Sequence, residues 1–200
     1  MSKTVDYYFS PTSPWTYLGH ARFAEIAKRH GAAINVKPVD YGRIFPVSGG
    51  LPLAKRAPQR QAYRLMELKR WRERLKVPLI EQPKFFPVPA DPAALLIVAA
   101  SRAGGAAAAM RIAGAVMRAV WVEERNISEA ETLVAICREQ GMNPEQLQAA
   151  AQSDAVKADY DAYTQEGLER GVFGAPSYVV DGEIFWGQDR LEFLERALSG

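Results

Sequence analysis

A hydroxyl at the start of a helix is the first arrangement in this sequence that could do chemistry. In "YYFSPTSPWTYLG", Tyr7 to Gly19, an aromatic run ends in a Ser/Pro/Thr turn and a helical pattern begins at once, with Ser13 directly before Pro14. Serine at the N-cap and proline at the first helical position suit any helix start, so a structural role explains both residues. Chemistry fits the same position. The free N–H groups and positive dipole end of a helix stabilise an anion, and a serine hydroxyl can donate to it. A cysteine at this turn would be a redox nucleophile, but the single cysteine is Cys137, set among the apolar residues of "ETLVAICREQ". There a buried structural thiol is expected.

Two segments near the other end carry further candidates. In "GVFGAPSYVV", Gly171 and Gly174 bracket aromatic and apolar residues, and Ala175-Pro176 precedes a strand. A cis peptide at that proline would turn the backbone of Ala175 towards a ligand. In "WGQDRLEFL", Asp189 either caps the last helix or, beside Gln188, binds a ligand ammonium. Trp15, Tyr63, Trp71, Phe85, Phe86 and Trp186 are expected in the core more than around a pocket, and the charges of "KRWRERLKVP" on a solvated helix face. The two histidines, His20 and His30, are too few and too poorly partnered for a metal site.

The elements that must position these groups follow from periodicity. "TVDYYFS" predicts a strand over 4–9, Pro14 to His30 a helix stopped at Gly31, and "INVKPVDYG" a second strand over 34–40, with Pro38 marking it as edge or kinked. "RIFPVSGGLPLAKRAP" reads as a connector without periodicity. Helices are then expected over 58–76, 91–103, 105–124, 127–140, 143–151 and 153–170. Asp91 and Asn126 stand as capping residues, and Ser128 with Glu131 as a capping box. "APSYVVDGEIFWG" predicts a hairpin over 177–186, turned at Asp181-Gly182, and an amphipathic helix closes the chain. The order is βαβ, a helical block, then ββα. That suits one α/β domain interrupted by an all-helical insertion.

Composition narrows the class. The 200 residues are 48% hydrophobic, enough for a proper core, and the net charge of +2 gives little reason to expect nucleic-acid binding. No secretion signal is visible, and "AALLIVAASRAGGAAAAM", broken by Arg and Gly pairs, is expected to be too short to span a membrane. A cytoplasmic protein without membrane partners is the expectation.

Taken in order, "SPWTY", a long helical insertion and "GVFGAPSYVVDGEIFWGQDRL" resemble the 2-hydroxychromene-2-carboxylate isomerase family, relatives of kappa-class glutathione transferases and of DsbA-like thioredoxin folds. The likeness covers nearly the whole chain. "PQRQAYRLMELKRW" is also similar to the family's Pro-to-Trp helix, through Tyr63, Glu67, Leu68, Arg70 and Trp71. The resemblance implies a thioredoxin-like domain over 1–51 and 171–200, with a helical insertion over 52–170. It implies glutathione as cofactor, an aromatic acid as substrate and a homodimer. Ser13 would bond the thiol sulfur, with Thr16 in place of the redox relatives' second cysteine, so a dithiol oxidoreductase is excluded. Ala175 and the cis Pro176 would pair with the cysteinyl part, and Gln188 and Asp189 would receive the γ-glutamyl end. Trp15, Arg43, Arg60 and Phe86 would face the substrate. In the connector, Pro46 and Gly50 stand where the family has lysine and asparagine, and Pro89 replaces a further asparagine. Arg43, Lys55 and Arg60 are the cations that could compensate. A kappa-like transferase and a non-catalytic glutathione-binding protein are the competing readings.

Overall fold

The β-branched and aromatic residues of "TVDYYF" form β1 (Thr4–Phe9), the second strand of a four-stranded sheet, in a computed structural model that describes residues 3–200. α1 (Pro14–Arg29) starts at Ser13, and Gly31 turns the chain with φ +59°. β2 (Ala33–Pro38) then runs parallel to β1, from Thr4 opposite Ala33 to Phe9 opposite Pro38. Pro38 closes an edge strand, where its missing N–H interrupts no further ladder. At the far end β3 (Ser177–Val180) and β4 (Glu183–Trp186) make a hairpin. Asp181 and Gly182 both take positive φ, 51° and 85°, at its turn, as a tight two-residue loop requires. β3 pairs antiparallel with β1, so the sheet order is β2-β1-β3-β4. The expected single sheet is present.

Alternation along β1 divides the side chains between two faces. Val5, Tyr7 and Phe9 join Leu18 and Phe23 of α1 and Tyr178 of β3 in the main core, where Tyr7 stacks on Phe9 at 4.5 Å and on Tyr178 at 5.4 Å. Tyr8 and Val179 point the other way, into a smaller cluster with Val39 and Val172.

Helices fill the interval between β2 and β3: α2 (Tyr41–Ser48), α3 (Pro58–Leu75), α4 (Asp91–Trp121), α5 (Ala130–Glu139), α6 (Pro144–Ala151) and α7 (Asp154–Glu169). The last helix is α8 (Leu191–Ser199). Residues of α4, α5 and α6 pack in the same cluster as β1 and α1, so the helical insertion and the sheet share one core.

Four local expectations need correction. The connector contains α2: Asp40 Oδ1 accepts the Gly42 N–H at 2.7 Å, Tyr41 and Ile44 are buried, and Gly49 ends the helix with φ +74°. Pro46 within it and the glycines after it hide the helix in the sequence. The break expected between 91–103 and 105–124 is present within α4, where Gly104 and Gly105 leave the helical backbone. By length and composition α4 could cross a membrane, contrary to the expectation, yet Leu96, Ile97, Ile112, Val116 and Trp121 lie in the core. Asp91 does not cap α4. It is the first helical residue, and its Oδ1 accepts the Tyr160 hydroxyl at 3.0 Å. No capping box forms at α5 either, because the Ser128 hydroxyl donates to Asn126 at 2.7 Å and the helix starts only at Ala130.

Candidate active site

A cavity of about 540 Å³ opens between two walls. One wall comes from the sheet and its turns: Trp15 at the start of α1, Ala175 before β3, and Trp186 to Arg190 after β4. The other comes from α3 and the turn before it. Arg60, Arg64, Glu67 and Trp71 lie at i, i+4, i+7 and i+11, a single helical face, and Tyr63 and Arg56 line the cavity beside them. Of the six aromatics expected in the core, Trp15, Tyr63, Trp71 and Trp186 belong to this lining.

Ser13 is half-buried at the foot of the first wall and is not itself a lining residue. Its Oγ accepts the Thr16 N–H at 3.2 Å, so it does cap α1. That bond uses a lone pair and leaves the hydroxyl proton free to donate. Pro14 has no N–H, and the Tyr17 N–H goes to the Ser13 carbonyl, so Trp15 supplies the remaining first-turn donor.

The Ala175-Pro176 peptide is cis, as expected. The loop before it is fastened through one carbonyl, that of Gly174, which accepts from the Tyr41 hydroxyl at 2.8 Å and the Ser177 hydroxyl at 2.7 Å. Gly174 has a steric reason to be glycine, since a Cβ would collide with the Trp186 indole. Beyond Pro176 the strand pairs Ser177 with Tyr8, which places this loop alongside the turn that leads from β1 to Ser13.

Gln188 and Asp189 occupy a short 3-10 turn at the cavity wall. Gln188 is buried, and its Oε1 accepts from Arg22 at 2.9 Å, so its side-chain oxygen ties the turn to α1. Asp189 does not cap α8, which has no side-chain cap. Its carboxylate sits beside Arg190 at 3.0 Å on the cavity rim. Trp15 and Arg60 line the cavity as expected. Arg43 does not, because it pairs with Asp161 of α7 at 3.1 Å. Nor does Phe86, which packs at a tilt against Trp121 with ring centroids 4.7 Å apart and lies 5.2 Å from the Arg64 guanidinium. Lys55 is exposed and outside the lining, while its neighbour Arg56 is within it.

The electrostatics come from residues the sequence reading passed over. Burial, with Arg56 as a lesser cause, pulls the Arg64 guanidinium down to about 10, so it stays charged at neutral pH. Burial also lowers Arg56, with Arg60 adding like-charge repulsion. The spacing 56, 60, 64 was the available signal. The remaining candidates are structural. Cys137 is buried in α5, and its thiol is pushed up by burial. His20 bridges Tyr7 Oη at 3.1 Å and the Met110 carbonyl at 2.9 Å, and burial drives it down to about 4, so it is neutral. Among the described residues no group of three metal-ligating side chains occurs.

The family model of the DSBA-like thioredoxin domain matches residues 4–199. A 2-hydroxychromene-2-carboxylate isomerase of Sphingobium xenophagum is 30% identical over 99% of both chains. The chain belongs to the DSBA-like thioredoxin family, in its branch of 2-hydroxychromene-2-carboxylate isomerases. A solved 2-hydroxychromene-2-carboxylate isomerase superposes with TM-score 0.82 at 28% identity, covering 98% of this chain and 94% of that one. Human glutathione S-transferase kappa 1 is 27% identical over 100% of this chain and 92% of its own. The family assignment agrees with the fold, a thioredoxin-like sheet carrying a large helical insertion.

Proposed function

We propose that the protein is a glutathione-dependent isomerase of an unsaturated aromatic acid such as 2-hydroxychromene-2-carboxylate. The observation that carries this is the free hydroxyl proton of Ser13 at a helix start, beside a cis-proline loop and an aromatic cavity. The residues present fit glutathione. Ser13 and the Trp15 N–H would donate to its sulfur, and the Ala175 backbone would pair with its cysteinyl amide. Asp189 would receive its ammonium, and Arg56 and Arg60, which pair with no carboxylate in the described residues, would attract its carboxylates.

Bound glutathione would supply a reversible nucleophile for a conjugated double bond, permitting rotation before the isomer is released. A free thiol with a pKa of about 8.5 is only slightly ionised at neutral pH. Ser13 raises that fraction by donating a hydrogen bond that strengthens as sulfur gains charge, and the helix start adds its dipole. Trp15, Tyr63, Trp71 and Trp186 would offer aromatic faces to a planar ring. The kinship with isomerases and with a glutathione transferase supports both halves of the reading.

Protein dialysed free of thiols should not interconvert 2-hydroxychromene-2-carboxylate and its ring-opened isomer, and added glutathione should restore the spectral change without being consumed. Consumption of glutathione into a sulfur-containing product would assign a transferase instead. Binding without turnover would leave a non-catalytic protein. The same reading places the protein in the cytoplasm, where glutathione is held reduced, and as a homodimer, which sedimentation tests directly.

A further inference from the structure

Arg64 is a buried cation whose charge nothing in the described residues balances. Its side chain is nine-tenths buried in the α3 wall, Nη2 has no hydrogen-bond partner, and no carboxylate lies within ion-pair distance. The guanidinium sits 5.2 Å from the Phe86 ring centroid and 5.8 Å from that of Trp121. Those aromatic faces offset part of the cost of burying charge, yet they accept no conventional hydrogen bond. The Trp121 indole N–H also lacks an acceptor. Unfilled donors on a buried cation in a cavity wall describe one half of an ion pair, with the other half brought by the ligand.

The other charges of the cavity do not supply that half. Glu67 is held by Arg70 at 2.6 Å, and Asp189 by Arg190 at 3.0 Å. Arg56 and Arg60 add positive charge of their own, so an anionic ligand is favoured overall. Arg64 stands on the α3 wall beyond Arg56 and Arg60, which reach the tripeptide's carboxylates in the reading above, and unlike them its guanidinium is buried against Phe86 and Trp121.

We propose that Arg64 is the specificity-determining residue of the cavity, receiving the carboxylate of the aromatic substrate and not a carboxylate of glutathione. The proposal rests on the reading above, in which substrate and tripeptide share this cavity. A planar carboxylate fits the fork of a guanidinium in two parallel hydrogen bonds, with the ring left against the aromatic lining.

trans-Cinnamate and trans-cinnamamide share a ring and a conjugated double bond and differ in charge, so they are the probes. Each is titrated calorimetrically into the parent protein, Arg64→Met and Arg64→Lys, and glutathione is titrated separately into all three. The parent should bind the acid at least about tenfold tighter than the amide, since hydrogen bonds to charged groups are worth that much. Arg64→Met, whose side chain can still pack on Phe86 and Trp121, should lose that preference and hold glutathione within about twofold; Arg64→Lys should recover part of it. Equal affinity of the parent for acid and amide would overturn the proposal. So would an Arg64→Met protein that loses glutathione but keeps cinnamate. If Arg64→Met does not fold, Arg64→Lys decides: a loss confined to cinnamate supports the assignment, and an equal loss of both ligands rejects it. Binding requires no turnover. A parent that selects the acid and isomerises nothing keeps Arg64's role and discards the isomerase reading.

Discussion

Replacing Ser13 with alanine should lower activity far more than stability. Two hydrogen bonds are at stake. The first is the cap, Ser13 Oγ accepting the Thr16 N–H at 3.2 Å, and losing such a cap costs about 1 kcal/mol. For a chain of this size that lowers the melting temperature by roughly 2–4 °C. The second is the hydroxyl's own proton, which the structure leaves free for sulfur. A hydrogen bond to a charged partner is worth about 1.5–3 kcal/mol, or roughly 10–150-fold in rate. The Trp15 N–H and the helix dipole remain, so residual activity should survive. The assay is the thiolate absorbance of bound glutathione titrated against pH, with steady-state rates and a thermal melt on both proteins. A mutant that melts lower but ionises glutathione as readily as the parent would show Ser13 to be a cap and nothing more.

Three further substitutions probe what holds the site in place. Gly174→Ala should displace the Trp186 indole and loosen the cis-proline loop, at about 1–3 kcal/mol of overpacking, read by melting and by tryptophan fluorescence. Lys37 is nearly buried between Asp6 at 2.9 Å and Glu166 at 2.7 Å, so Lys37→Met should cost about 3–5 kcal/mol at neutral pH. Burial pushes both acids up, but hydrogen bonds from Asn35 and Lys37 to Asp6, and from Lys37 to Glu166, outweigh it and hold them low. That stabilisation is complete above the ordinary carboxylate range of about 4 and is lost as pH falls through the lower folded values, so the penalty of Lys37→Met should shrink in acid. His20 is held near 4 in the fold against 6.5 when free, so the unfolded chain binds more protons between those values. The unfolding free energy from denaturant titrations should therefore fall as pH drops from about 6.5 to 4, by on the order of 3 kcal/mol, and His20→Phe should remove that slope.

Much of the sheet half was legible because its signals are local. Ser13 before Pro14, Gly31 after the helix and Asp181-Gly182 between apolar runs each specify a backbone geometry within a few residues. The helix α2 was not legible, since Pro46, Gly49 and Gly50 carry the composition of a loop while burial of Tyr41 and Ile44 decides the matter. Two substrate candidates, Arg43 and Phe86, proved to be occupied elsewhere, one by Asp161 and the other by Trp121. The arginines show the same limit more sharply. Arg64 and Arg70 stand on one helix, and only Arg70 falls in the stretch expected as a solvated charged face. Arg70 is exposed and salt-bridged to Glu67, while Arg64 turns inward because Phe86 and Trp121, distant in sequence, offer it two aromatic faces. The 56, 60, 64 spacing puts Arg64 on one face with Arg60, but its burial rests on those two distant rings.

The two walls divide the chemistry between parts of the chain that are held by different means. In the proposed reading, handling of sulfur would fall to backbone and hydroxyl groups at Ser13 and Ala175, on turns fixed by β1 pairing with β3 and by the Gly174 carbonyl that Tyr41 and Ser177 share. Selection of the substrate would fall to Arg64 of α3, whose guanidinium lies against Phe86 and Trp121. The first arrangement needs a rigid frame, because small shifts at a thiolate cost rate. The second tolerates exchange of side chains, because a guanidinium, an ammonium or an amide presented from a helix face alters what binds without moving the sheet. On that reading, an insertion at this point of a thioredoxin-like fold would add a selectable wall to a nucleophile site held by the sheet, and Arg64 would set this chain's own preference.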